Sequence, residues 1–549
     1  MRTFSTLLAL MSSKERKIFF CALIVFSFTA LGSAIIEIEE RSELVPVRGG
    51  MYREGIVGQP SMVNPVLSAN PADQDISALV FSPLSQLLEG IEMKENGRVY
   101  LLQLKEGLAW SDGAPLTTTD LLFTIKLIQD PGARSPFAKS WEGVTIDRIS
   151  ELQARLTLPT SYVLLPRYLE RLSLIPEHVF KDIPSANLPL SRYRLEPIGN
   201  GPYRVERITK RSDGFITQYS FASNSRYHRT LPFITRFSLK FYESEDELMK
   251  ALRLREVDGF GSLTPIRQTL LPGMNQFIAE ELSMPRSYAV FFNASANTRL
   301  AEREVRRALA DALDKEQIVQ EALAGEATVI EGPVLATLLE TQNHILRETE
   351  EQTRRVLERD PPLEISLVVP RVAFLEKAAT LMRDAWKAHG VRTVRLIVLS
   401  PEEVVERIIK TNTYELLLFG TVLENPEDLF PFWHSSQRFY PGLNLSLYEN
   451  KEVDAILEGI RENPDPLNRK ERLERFDEII REDVPAIFLF SLPYIHVHAK
   501  RLYGFTSPVA DDFVVSPADR FRNVNEWYVV RARALKGKTG DLTEVKKEE

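Results

Sequence analysis

A chain of 549 residues and 62.6 kDa is enough for three or four domains of about 150 residues, or two large ones, which excludes a single small module. With 44% apolar and 26% charged residues it has the balance of a folded globular chain, and general disorder is excluded. Lys and Arg number 68 against 76 Asp and Glu, a net charge of −8 without a strongly basic block, so no nucleic-acid partner is expected. One cysteine leaves no intramolecular disulfide, no cysteine-based zinc or iron–sulfur site and no CxxC redox pair.

In chain order, residues 1–17 form a basic segment, and an uncharged apolar run over 18–36 follows Lys14, Arg16 and Lys17. About 19 such residues fit one spanning helix, and the upstream cations favour a cytoplasmic N-terminus with the folded chain outside. A cleaved secretory signal competes, because Gly32-Ser33-Ala34 offers the small residues of a cleavage site. A lipoprotein reading is weaker, since Cys21 opens the run behind Phe19 and Phe20 instead of following it. Residues 37–49 read as a charged tether ending at Gly49-Gly50.

The stretch 51–288 alternates short β-rich runs with turn signals, including a strand over 99–104 and a helix over 118–127 that Asp120 caps and Asp130-Pro131-Gly132 stops. Apolar residues at three and four spacing over 302–323 predict an amphipathic helix or a linked pair. Farther on, strands over 363–369, 394–398 and 414–419 alternate with helices over 374–389 and 404–410, the pattern of βαβ units and a largely parallel sheet. A helix over 470–483 precedes an extended apolar segment, 485–497, and past about 535 little remains to bury. The fold class is therefore α/β.

No GxSxG, HExxH, GxGxxG or EF-hand pattern is present, and Gly537-Lys538-Thr539 lacks the upstream glycine of a phosphate loop. His496 and His498 share one strand face, which suits either a metal or a satisfied structural pair, and the pair is the simpler reading without a local third ligand. Glu424 with Glu427 or Asp428 could do acid–base work, although solvated turns hold such pairs routinely. Trp433 and His434 follow Phe430-Pro431-Phe432, an aromatic cluster suited to a core or to a ligand wall.

The run from Val99 to Thr117, with Trp110-Ser111-Asp112-Gly113 at its centre, continues to Asp120-Leu121-Leu122-Phe123-Thr124 and resembles the signature of extracellular solute-binding proteins, family 5. In the family's order follow Pro197-Ile198-Gly199-Asn200-Gly201-Pro202-Tyr203, Asn224-Ser225-Arg226-Tyr227-His228, Val257-Asp258, Phe292-Asn293 with Val305-Arg306-Arg307-Ala308-Leu309, and Tyr414-Glu415-Leu416 with Pro426-Glu427-Asp428. Six motifs in fixed order, from about 52 to 530, make the resemblance specific. Trp110 reads as a core plug before a turn, and Gly199 and Gly201 read as positions where a side chain would clash or φ must be positive.

The resemblance implies a two-lobed periplasmic-binding-protein-like fold with a large extra subdomain and a ligand cleft between the lobes. Lobe I would span 50–288 and return over 490–535, lobe II would span 289–489, crossovers would fall near 285–292 and 485–492, and 536–549 would be a charged tail. It implies no catalytic residues, no metal and no cofactor, and a monomer that passes peptides to an ABC permease and its ATPase subunits. Extended peptides would lie between Asn64 and the strand end Gly420-Thr421, with Glu424 and His434 at the ligand and Trp433 packing the wall. Relatives carry an ammonium-binding aspartate four residues before the loop proline; here Val422 stands there, and Glu424 is the nearby carboxylate. Three alternatives stay open: a nonpeptide solute such as a nickel chelate, haem, an opine or a sugar, where a metal would draw on His434, His496 or His498; an envelope scaffold; and a cleft hydrolase.

Overall fold

The computed structural model describes residues 12–68, 70–264, 275–335, 338–339, 348–506 and 513–535. The tail expected at 536–549, the Gly537-Lys538-Thr539 triplet and the first 11 residues lie outside the described residues.

Two mixed sheets organise the body, and each is the centre of one lobe. The larger has seven strands in the order Phe277–Leu282, Tyr494–Ala499, Gly259–Ser262, Met51–Val57, Arg236–Tyr242, Ile216–Ser223 and Tyr203–Lys210. Beside it a four-stranded antiparallel sheet (Leu88–Lys94, Val99–Leu104, Gln153–Thr157, Thr145–Arg148) forms the extra subdomain and shares one apolar core with it. The helix Thr118–Gln129 packs there, closed by a capping box in which Thr117 accepts from Thr119 N–H and Asp120 accepts from Thr117 N–H. Trp110 is fully buried ahead of a turn in which Gly113 takes φ +99° and donates to the Trp110 carbonyl at 2.9 Å.

The second lobe is built on six strands in the order Thr328–Val329, Ala486–Ser491, Arg286–Phe292, Leu416–Val422, Glu364–Pro370 and Thr393–Leu399. Leu416 and Leu418 face a core with Met382 and Trp386, while Leu417 between them faces a core with Trp433 and Phe476. Both sheet faces are buried, which is why these strands are continuous apolar runs in sequence. The expected βαβ part is parallel, Glu364–Pro370 pairing so with both neighbours, but the sheet as a whole is mixed. The chain enters through Arg286–Phe292 and leaves through Ala486–Ser491, and two adjacent strands with opposite errands must be antiparallel. The 302–323 segment is a helix pair, Arg303–Asp311 and Lys315–Leu323, with Asp314 capping the second through Gln317 N–H at 2.8 Å.

Among the described residues, two short links join the sheets. Residues 283–285 connect Phe277–Leu282 to Arg286–Phe292, and residues 492–493 return from Ala486–Ser491 to Tyr494–Ala499. The segment read as one extended run, 485–497, is thus two strands in different sheets. Two adjacent links running in opposite directions between two sheets are the geometry of a hinge.

Residues Ser13–Arg41 form one helix that runs directly into the strand Ser42–Pro46, which pairs antiparallel with Arg531–Leu535. Among the described residues no helix is long and apolar enough to cross a membrane, so the spanning segment expected at 18–36 is not supported by the structure. That segment includes side chains outside the described set, at 32 and 34–36.

Candidate ligand-binding cleft

A cavity of about 510 Å³ opens between the lobes, and both lobes line it. Lobe I contributes Asn64, the helix Pro71–Val80 through Gln74 and Ser77, the following turn through Phe81 and Ser82, and the segments 168–173 and 515–522. The subdomain adds Phe137 and Trp141, the first link adds Met284, and lobe II adds Val422 and Glu424.

Local chemistry explains how these walls are held. Asn64 is 4% exposed, and its Oδ1 accepts from Val66 N–H at 3.0 Å, which fixes the turn before the helix. Asp519 accepts from the Val515 and Ser516 amides at 2.8 and 3.0 Å and from Arg171 Nη2 at 3.0 Å, so a carboxylate and a guanidinium lie on one wall. Glu424 is exposed and makes no hydrogen bond or ion pair among the described residues, so a ligand cation can approach it without displacing a partner.

The strand Leu416–Val422 pairs along its whole length with Arg286–Phe292, whereas its ladder to Glu364–Pro370 ends at Leu417. Residues 418–422 therefore present a second strand edge to which no described strand is paired. Such an edge can receive the main chain of an extended ligand. Gly420 and Thr421 sit on this edge but do not line the cavity itself. Thr421 Oγ1 is 3.1 Å from Ser287 Oγ, and a Cβ on Gly420 would stand 2.7 Å from the Tyr288 ring, so any larger residue there would push that ring aside.

Two residues expected at the ligand are elsewhere. Trp433 is 3% exposed and packs on Phe291, Phe476 and Phe488 at centroid distances of 6.4, 6.4 and 5.8 Å, inside the lobe II core. His434 stacks on Phe430 at 4.0 Å, holds Ser436 through Nδ1 at 2.8 Å and stands 3.4 Å from Glu458 through Nε2. The short helix Phe430–Trp433 sets its Trp433 ring against Phe291 and Phe488 of the sheet, and neither Trp433 nor His434 lines the cavity. His496 and His498 are buried with rings 5.4 Å apart, on Glu54 and Glu280 at 3.3 and 3.1 Å. Among the described residues no group of three or more metal-ligating side chains is assembled.

Sequence reasoning missed Tyr168, Arg171 and Asp519, all in the cavity wall. Tyr227, another wall residue, lay inside a quoted motif, Asn224 to His228, but without a signal of its role.

Two α/β lobes on two short links, with a cavity walled by both, define a hinged binding protein. The family model for bacterial extracellular solute-binding proteins, family 5 (middle part), matches residues 82–439, and the chain belongs to this family. The oligopeptide-binding protein AppA of Bacillus subtilis is 22% identical over 488 residues, covering 81% of this chain and 87% of AppA. Its structure in complex with a nonapeptide is similar at a TM-score of 0.70 and 20% identity, over 88% of this chain and all of that one. The ABC transporter substrate-binding protein CtaP of Listeria monocytogenes gives a TM-score of 0.76 at 21% identity, over 88% and 99%. NikZ of Campylobacter jejuni, in complex with Ni(L-His), gives 0.69 at 20%, over 87% and 99%.

Proposed function

We propose that this chain is the receptor of an ABC importer, that it binds short peptides between its lobes without chemical conversion, and that it delivers them to a permease. The carrying observation is the unpaired edge at 418–422 beside a cavity lined by both lobes. Main-chain pairing supplies affinity without reading side chains, which is what a receptor for mixed peptides requires. Glu424 would hold the ligand ammonium in place of the aspartate that Val422 replaces, and Asn64, Gly420 and Thr421 would bound the extended chain. In this reading the receptor acts as a monomer, and the lobe boundaries expected at 288/289 and 489/490 move to the two links, so that lobe I comprises 50–282 and 494–535 and lobe II comprises 286–491.

The N-terminal helix would hold the receptor at the outer face of a membrane. Ile18, Val25, Phe26 and Phe28 are 65–71% exposed, and water is a poor environment for such a surface.

Native mass spectrometry of the full chain in detergent, with fragmentation of whatever copurifies, tests the peptide reading. A ladder of mixed short peptides is expected; a discrete nonpeptide or metal adduct would replace the substrate and keep the fold. Glu424→Gln should weaken binding of free-amine peptides by roughly tenfold or more and leave N-acetylated ones unchanged, measured by calorimetry. Equal losses for both would remove Glu424 from the ammonium role.

A further inference from the structure

One buried carboxylate ties the two lobes together outside the cavity wall. Asp428 follows Glu424 by four residues in the loop after Leu416–Val422, and its side chain is 1% exposed. From its own lobe, Arg461 in the helix Lys451–Glu462 donates through Nε at 2.8 Å and Nη2 at 2.9 Å. From the opposite lobe, the Tyr162 and Tyr168 hydroxyls donate at 2.7 and 3.2 Å. Three of these donors converge on Oδ2 and the fourth, Arg461 Nε, is on Oδ1, so the oxygen that holds both tyrosines also holds the guanidinium.

The surroundings repeat the same bridge. The Arg461 guanidinium lies 3.8 Å above the Phe430 ring and 5.3 Å from that of Tyr162, and the Arg461 carbonyl accepts from Val163 N–H at 2.8 Å. Leu164 belongs to a lobe II core, whereas Leu165 and Leu169 belong to the lobe I core. The stretch 162–169 is thus shared between the two bodies. Burial pushes both phenols up, so they stay protonated donors around neutral pH.

Separating the lobes would take two of the four donors from Asp428 and expose to water a carboxylate that is now buried beside a partly exposed guanidinium. The same parts reach the ligand space, because Tyr168, Val422 and Glu424 all line the cavity. The geometry points to Asp428 as a positioning residue, a latch that clasps segment 162–168 to lobe II in the closed form and sets the loop carrying Glu424 against the ligand. This rests on the reading that the cleft closes on its ligand.

The test uses the full chain in detergent with Tyr162→Phe/Tyr168→Phe, which removes two hydroxyls and little volume, beside Asp428→Asn. Hydrogen exchange on the protein as purified should rise at least tenfold in 162–168 and 423–430 together. A synthetic alanine tetrapeptide with free termini should dissociate about tenfold faster from the double variant, by stopped-flow, with its association rate little changed. Unchanged exchange, exchange raised in one segment alone, or unchanged release would overturn the latch. If the tetrapeptide fails to bind the unmodified chain, the peptide reading fails and the exchange result alone decides the latch.

Discussion

Replacing Arg520 with leucine is expected to cost about 3–5 kcal/mol and to lower the melting temperature by roughly 6–10 °C in a thermal scan. Arg520 is 5% exposed; its Nε donates to Glu54 at 2.8 Å, and Nη1 and Nη2 donate to the two oxygens of Asp75 at 2.7 and 2.8 Å. Leucine fills the space but leaves two buried carboxylates without their cation, and that uncompensated charge sets the size of the effect. The ion group also joins three parts of the cavity wall's support: the strand Met51–Val57, the helix Pro71–Val80 and the turn Pro517–Phe521. Ligand binding should therefore weaken along with stability. A variant melting within 1 °C of the parent would show that the cluster does not hold this lobe.

Acid should undo the same group in a defined window. Burial raises the Glu54 carboxyl, but the adjacent His496 ring and Arg520 guanidinium outweigh it and hold Glu54 at about 2. A folded value below the unfolded 4.5 means stability that is present above pH 4.5 and lost as pH falls toward 2, worth about 3 kcal/mol. Burial lowers His496 below 6.5 despite Glu54, so its contribution is also lost as pH falls through 6.5. Burial raises Asp75 against the pull of Arg520, and its protonation works in the opposite sense. The net expectation is a melting temperature that declines below pH 6.5 and drops most steeply under pH 4.5. Glu54→Gln should flatten the lower part of that curve.

How far the sequence carried depended on whether an element is local. The turn after Trp110, the capped helix Thr118–Gln129 and the apolar strands of lobe II are written in neighbouring residues, so period and capping chemistry reveal them. The antiparallel half of the lobe II sheet is not, since Ser287 faces Ser491 across about 200 residues and no window contains both. The cleft divides in the same way. Glu424 lies in a loop bracketed by Tyr414-Glu415-Leu416 and Pro426-Glu427-Asp428, Asn64 came only with the family resemblance, and both line the cavity. Trp433 and His434 have the composition of a ligand wall but are buried within lobe II, Trp433 in a core with Leu417 and Phe476, a matter of tertiary packing that no local pattern reveals. Arg171 and Asp519 are 348 positions apart, and each looks like an ordinary surface charge until the fold closes the pair at 3.0 Å.

Gly199→Ala should be nearly as damaging as the loss of Arg520, at about 3 kcal/mol, and should also reduce ligand binding. In sequence, Gly199 and Gly201 were compatible with either a clash or a positive φ. The structure selects the clash: a Cβ on Gly199 would stand 2.0 Å from the Val80 carbonyl oxygen, and one on Gly201 would stand 2.6 Å from the Val80 carbonyl carbon. Both obstacles are backbone, which cannot rotate aside, so the cost lies at or above the usual range for overpacking. The contact is also bonded, with Gly201 N–H on Val80 O at 2.7 Å and Ser111 N–H on Gly199 O at 2.8 Å. Val80 ends the helix that carries Gln74 and Ser77 into the cavity, and Phe81 and Ser82 follow it there. Moving Val80 outward by even half of the deficit displaces a ligand wall, so peptide affinity should fall with the melting temperature. Gly90 gives the control, because nothing lies within 4 Å of its added Cβ and its φ is not positive, and Gly90→Ala should stay within about 1 kcal/mol of the parent. Denaturant midpoints and peptide affinities measured on both variants decide the matter: equal behaviour would mean that close backbone approach at Gly199 is not what shapes this wall.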